Sequence, residues 1–264
     1  MTDTNEPLVA DLANQLFNAL TFKEPLEMAS LEGEVTDYET AYQVQDAFVS
    51  LRQEDVQGYK VSLTSEETQR MFDSDEPFYG QETVTQFVQG PLTLSLSDLL
   101  EPLIEIELVF RAKEDLSVDD TPEDLLEKLT IAPGIEVPDA RFKNWFPKLN
   151  KYLVVSDCAV GGSVVYGQEQ DVKGNFTVED LANISGVLSK DGQEIDKGTS
   201  AEVLGNPLNS VTWLVKKLAS HGKTFKKGQQ VSSGTFIIPP HLEKGLYRVD
   251  YGSGVGSLEL TVTE

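Results

Sequence analysis

The hydrophobic positions at the start of the chain repeat with helical spacing. Leu8, Leu12, Leu16 and Leu20 fall four apart with Val9, Ala13 and Phe17 beside them, which predicts a helix over residues 7–20. Thr36-Asp37-Tyr38-Glu39 has the form of a capping box and opens a second helix to about Arg52, with Ala41, Val44, Phe48 and Leu51 inward. Residues 58–63 read as a strand. Thr64-Ser65-Glu66-Glu67 then caps a short helix that ends near Phe72.

From about Glu76 the spacing shortens. Strands are predicted over 92–96, 103–112, 131–137, 152–156, 163–166, 230–238, 245–251 and 257–262. Residues 184–195 form a hairpin turning at Asp191-Gly192. Two helices interrupt this run. One opens at Thr121-Pro122-Glu123-Asp124; the other opens at Asn206-Pro207, turns Leu208, Val211, Val215 and Leu218 inward and stops at Gly222. Helices and strands do not alternate strictly, which argues against a doubly wound parallel sheet. The pattern is α+β: a helix-rich segment over 1–75, then a mostly antiparallel or mixed β body over 76–264.

One strand organises the rest. In residues 103–110, Ile104, Ile106, Leu108 and Phe110 point to one face, and Leu103, Glu105, Glu107 and Val109 to the other. Two carboxylates thus sit side by side between apolar residues. On these residues alone the face is either a solvated strand face or the wall of a half-buried pocket. In a pocket, two like charges need a cation between them. A third acid, Glu136, stands between apolar neighbours in the strand at 131–137, with Asp139 three positions on. Three carboxylates make a hard, all-oxygen site that suits Mg²⁺, Mn²⁺ or Ca²⁺ rather than zinc. Lys60, in Tyr59-Lys60-Val61, is either a snorkelling surface lysine or a buried group able to hold an anion or move a proton.

Charge narrows the partners. The chain carries 21 basic and 44 acidic residues, a formal net charge of -23. That argues against nucleic acid, whose binding needs basic patches, and against an anionic membrane surface. No run approaches the roughly 18 apolar residues of a membrane span. The single cysteine, Cys158, rules out an intramolecular disulfide and a cysteine metal site and fits a reducing, cytoplasmic setting. Gly252-Ser253-Gly254-Val255-Gly256 precedes a strand, not a helix, so it reads as a turn rather than a phosphate loop.

In order along the chain, these pieces resemble a known family. Gly58-Tyr59-Lys60-Val61-Ser62-Leu63-Thr64-Ser65 is similar to the Gly-Tyr-Lys-Ile-Gly-Leu-Thr-Ser signature of the 2-oxopent-4-enoate hydratases. Glu76-Pro77-Phe78-Tyr79-Gly80 resembles their Pro-Asp-Tyr-Gly turn, and residues 102–110 their Glu-x-Glu strand. Further likenesses follow at residues 134–141 with Asn144-Trp145, at Ser156-Asp157-Cys158-Ala159, at residues 201–207 and at Ser233-Gly234-Thr235. The ordered set resembles the hydratase and 4-oxalocrotonate decarboxylase branch of the fumarylacetoacetate hydrolase superfamily.

The resemblance implies a helical segment followed by a mixed β-sandwich roll. It implies Mg²⁺ or Mn²⁺ held by Glu105, Glu107 and Glu136, an active-site Lys60, and substrate contacts at Leu63, Asp157, Ser233 and Thr235. The implied reaction is metal-dependent addition of water to a small anionic 2-oxo-enoate, with the 2-oxo and carboxylate oxygens chelating the metal as an enolate develops. A homo-oligomer and a partner enzyme of the same pathway are also implied. Decarboxylation of an oxo-diacid and a non-catalytic family member are the alternatives. Acylpyruvate C–C hydrolysis is less favoured because both histidines, His221 and His241, lie late in the chain. Phe78 stands where hydratases often carry Asp, Cys158 replaces Asn, Val160 and Gly161 replace serines, and Asn206 replaces His. These departures leave the metal positions intact and alter the pocket around them.

Overall fold

The computed structural model describes residues 6–264. Helices α1 (Glu6–Phe22) and α2 (Tyr38–Leu51) lead into strand β1 (Val56–Ser62) and the short helix α3 (Glu66–Met71). Then come β2 (Phe78–Thr83), β3 (Phe87–Gln89), β4 (Leu92–Ser95), β5 (Glu105–Ala112), α4 (Pro122–Lys128), β6 (Leu129–Val137), α5 (Lys151–Ser156), β7 (Ser163–Tyr166) and β8 (Gln170–Asp171). The chain ends with α6 (Val178–Ala182), β9 (Ser185–Lys190), β10 (Gln193–Thr199), α7 (Pro207–Ser220), β11 (Gln230–Ser232), β12 (Gly245–Tyr251) and β13 (Gly256–Thr263).

The strands form two sheets. The larger runs β2-β1-β11-β5-β6-β7-β3, with β8 on the end of β6; the smaller runs β10-β9-β12-β13-β4. Both mix parallel and antiparallel pairs: β1 lies parallel to β11, while β5 is antiparallel to β11 and β6. The predicted alternation on β5 holds. Ile104, Ile106, Leu108 and Phe110 are all fully buried in the main core. Tyr251 on β12 ties the sheets together, its hydroxyl donating to the carbonyls of Glu107 and Gly134 at 2.7 Å each. The hairpin turns at Asp191-Gly192, with φ +51° and +81°, the left-handed pair a two-residue turn requires.

The front helices dock through one buried amide. Gln45 on α2 donates to the carbonyls of Tyr79 (3.1 Å) and Val155 (2.7 Å) and accepts from the Gln81 amide at 3.0 Å. It thereby joins α2, β2 and α5 without leaving its polar atoms unpaired.

Four local expectations change. Residues 152–156 are helical, not a strand: the Asn150 side chain accepts from the Tyr152 amide at 2.9 Å, and packing against α2 overrides the strand preference of Val154 and Val155. Asp37, not Thr36, caps α2, accepting from the Thr40 amide at 2.8 Å. The strand predicted over 230–238 stops at Ser232, before Gly234 takes φ +124°. Strand β2 was not anticipated, because it is buried along its whole length and so shows no alternation, even though it carries Gln81, Glu82 and Thr83.

Candidate metal centre

Adjacent antiparallel strands put Glu105 of β5 directly opposite Glu136 of β6, and Glu107 opposite Gly134. Gly134 lets the strands approach closely here, since a Cβ on it would meet the Val109 side chain at 2.7 Å and the Glu107 carbonyl at 2.9 Å. One carboxylate oxygen from each of Glu105, Glu107 and Glu136 lies within 4.8 Å of the others. That separation lets all three reach one ion at roughly 2.0–2.6 Å.

Each acid has a different surrounding. Glu107 is buried, and its Oε2 accepts from the Ser232 hydroxyl at 2.6 Å and the Gly234 amide at 2.7 Å. Those two donors fix its rotamer and leave the other oxygen free. Glu136 is fully buried; its Oε1 takes the Lys60 ammonium in an ion pair, and its Oε2 has no hydrogen-bond partner. Glu105 is the half-buried member of the set and faces the cleft. Burial pushes its carboxyl up to about 8, only partly offset by Lys60. Burial, then the charges of Glu136 and Glu105, also drive Glu107 well above the usual carboxylate range. On its own, burial would lower the Lys60 pKa. Glu136, Glu105 and Glu107 outweigh it and hold the ammonium charged.

Ionised together, the three acids would carry two more negative charges than Lys60 balances, and without a further cation burial favours the protonated forms of Glu105 and Glu107. Three carboxyl groups face one ammonium, and Oε2 of Glu136 has no donor. A divalent ion supplies the missing two positive charges and the missing partner. The all-oxygen donors and open geometry therefore fit Mg²⁺ or Mn²⁺.

A cleft opens from these acids. Leu63 and Thr235 line it, as do Lys60, Trp145 and Val160. Ser233 and Asp157 do not. Ser233 is fully buried with its hydroxyl unpartnered. Asp157 pairs with Arg141, taking the Arg141 backbone amide at 3.0 Å and its guanidinium. Arg141 also donates to the carbonyls of Asp139 (2.7 Å), Asp157 (2.6 Å) and Gly161. Asp139 accepts the Leu100 and Glu101 amides at 2.9 and 2.8 Å, so it braces a loop rather than joining the cluster. This network clamps the turn Cys158-Ala159-Val160, whose three residues all have left-handed φ (+54°, +51°, +59°). Such strain persists only where surrounding contacts enforce it.

Sequence reading missed Ser232 and Glu82. Ser232 becomes visible only because β11 inserts between β1 and β5. Glu82 of β2 lies opposite Gly58 of β1, on the face that carries Lys60. Both its oxygens are buried and unpartnered, and burial followed by the Glu136 charge pushes it up to about 8 against the pull of Lys60, Arg52 and Arg141.

No protein-family model matches the chain. It is 30% identical over 257 residues to a 2-oxo-hept-4-ene-1,7-dioate hydratase of Escherichia coli, covering 94% of this chain and 95% of that one. It is likewise 30% identical to a 2-hydroxyhexa-2,4-dienoate hydratase of Comamonas testosteroni, over 90% and 94% of the two chains. Its fold is similar to a 4-oxalocrotonate decarboxylase of Pseudomonas putida G7 complexed with magnesium and adipate (TM-score 0.89, 24% identity, 98% and 99% coverage). A fumarylpyruvate hydrolase of Pseudomonas aeruginosa in complex with Mn²⁺ and pyruvate is a more distant fold relative (TM-score 0.58, 17% identity, 78% and 88% coverage).

Proposed function

The chain belongs to the 2-keto-4-pentenoate hydratase family, and we propose that Glu105, Glu107, Glu136 and Lys60 are the residues with which it hydrates a small 2-oxo-enoate. The observation that carries this assignment is the convergence of three acids from two strands, two of them buried, with only one ammonium to balance them. A divalent cation held there supplies Lewis acidity to the 2-oxo and carboxylate oxygens of the substrate.

The chain's own groups do the rest. Ser232 and the Gly234 amide hold Glu107 in one rotamer, so its free oxygen keeps a fixed direction. Glu136 anchors the Lys60 ammonium at the inner end of the cleft. There Nζ can donate a proton to a carbanionic carbon, or hold the substrate carboxylate while a carbon is protonated. Glu105, the most exposed of the acids, borders the open side of the cleft, where the attacking water enters. Leu63 offers an apolar wall to the bound acid, beside Thr235, whose hydroxyl bonds the Ile237 backbone. Asp157 acts through Arg141, holding the turn that carries Val160. The proposal extends to a cytoplasmic homo-oligomer working beside a partner enzyme of the same reaction sequence. The single cysteine is buried, in keeping with a reducing compartment.

The test is decay of dienol absorbance on adding the protein with Mg²⁺. The expected result is metal-dependent hydration without release of CO₂. It should be lost in Glu107→Gln while the circular dichroism spectrum and melting cooperativity are kept. Stoichiometric CO₂ from an oxo-diacid would assign the site to decarboxylation instead. Unchanged turnover in Glu107→Gln would refute the residue assignment.

A further inference from the structure

Relatives of this chain act on both monoacids and diacids, so the charge at the far end of its substrate is open. We infer that the cleft selects a 2-oxo acid whose tail is uncharged and rejects one ending in a second carboxylate. This rests on the site described above and concerns the part of it beyond the acids.

The charged residues lining the cleft are Lys60, Glu105 and Glu107, and all three belong to the acid cluster or its ion pair. Lys60 is already committed to Glu136. The rest of the lining carries no charge: Ser62, Thr68 and Thr235 bring hydroxyls, and the large side chains are Leu63, Phe72, Trp145, Phe146, Val154 and Val160. The Trp145 indole N–H, the one polar handle among those six large side chains, is spent on the Glu101 carbonyl at 2.9 Å. No arginine or lysine other than Lys60 lines the cleft among the described residues. The cation on neighbouring α3, Arg70, is exposed, pairs with Glu66 at 3.3 Å, and borders a separate groove that also contains Glu67 and Glu202. A tail carboxylate would therefore lose its water and meet no counter-charge. The net charge of -23 further opposes a dianion.

Backbone strain marks the same walls. Leu63 (φ +56°) and Val160 (φ +59°) both sit in the left-handed region, where a branched side chain is disfavoured. Both face the cleft. The Arg141 contacts to the Asp157 and Gly161 carbonyls hold Val160 there. Relieving that strain with Asn or Gly would put a polar or absent side chain at the wall. The apolar wall is kept at the expense of backbone comfort, as expected of a specificity-determining position.

The test compares two unreactive acids of equal length on the full chain with Mg²⁺: 2-oxohexanoate and 2-oxohexanedioate. Affinities are read from the rise in melting temperature with ligand concentration. The expected result is saturable, Mg²⁺-dependent stabilisation by the monoacid, with the diacid weaker by on the order of 100-fold. Affinities within threefold of each other overturn the inference while leaving the metal site standing. Stabilisation by neither acid instead sinks the chelation reading on which it rests. Val160→Asn, a residue suited to left-handed backbone, should fold at least as stably and bind 2-oxohexanoate severalfold more weakly. An unchanged affinity in that variant removes Val160 from the selective wall.

Discussion

Glu82→Gln gives a test of the buried electrostatics that does not depend on knowing the substrate. Glu82 has no exposed surface and no hydrogen-bond donor for either oxygen, and its carboxyl is pushed from 4.5 up to about 8 by burial and then by Glu136. The folded protein therefore keeps this proton up to about pH 8, whereas the unfolded chain releases it near 4.5. Between those values the folded state binds more protons, so the contribution of Glu82 is fully present below about pH 4.5 and is lost as pH rises towards 8. At about 1.4 kcal/mol per pH unit the total loss is on the order of 5 kcal/mol. Gln has nearly the same shape and no proton to lose, so its own cost does not change with pH. The assay is urea unfolding of wild type and Glu82→Gln from pH 4.5 to 9, with chelator present so that metal binding adds no pH dependence. Wild type should lose stability relative to the variant by a few kcal/mol across this window, and the difference should level off above about pH 8. Parallel stability curves would refute the reasoning, because they would mean that Glu82 is ionised in the fold and has a partner.

Further predictions concern the metal site and its supports. Mg²⁺ should stabilise wild type by about 2.7 kcal/mol at 100 times its Kd, and Glu107→Gln should lose most of that gain in a melting titration. Metal binding must displace the proton that burial retains on Glu105 up to about pH 8, so calorimetry should show proton release and weaker binding as pH falls below that value. Gly234→Ala should weaken metal binding by about 10- to 100-fold. Its φ of +124° and a Thr64 hydroxyl 2.3 Å from where the new Cβ would stand both force the Glu107 donor to move. Asp157→Ala leaves the Arg141 guanidinium buried without its counter-charge, and should cost about 3–5 kcal/mol in urea unfolding.

The pairing of Glu105 and Glu107 was readable in the chain because a strand alternates strictly. Glu105 and Glu107 had to share a face, and their apolar brackets made a pocket wall one of two readings of it. Glu136 could be nominated from its apolar neighbours, but only the β5–β6 register set it opposite Glu105. The same residue types gave no clue to Asp157, since a carboxylate in a loop reads alike whether it meets ligand or arginine. It is the return of residues 138–142 beside α5 that supplied Arg141. Residues 152–156 misled because a short apolar run has no period of its own, and packing against α2 made it helical.

By itself, then, the sequence determined the helical front, the principal strands and a set of acids able to hold a hard cation, because periodicity is local. Tertiary structure decided which oxygens converge, which acid Lys60 neutralises, which carboxylate stays buried without a partner, and that the cleft beyond the acids has apolar walls. Those outcomes depend on strand order and on backbone turns held by distant residues, and contacts between residues far apart in the chain leave no repeating mark along it.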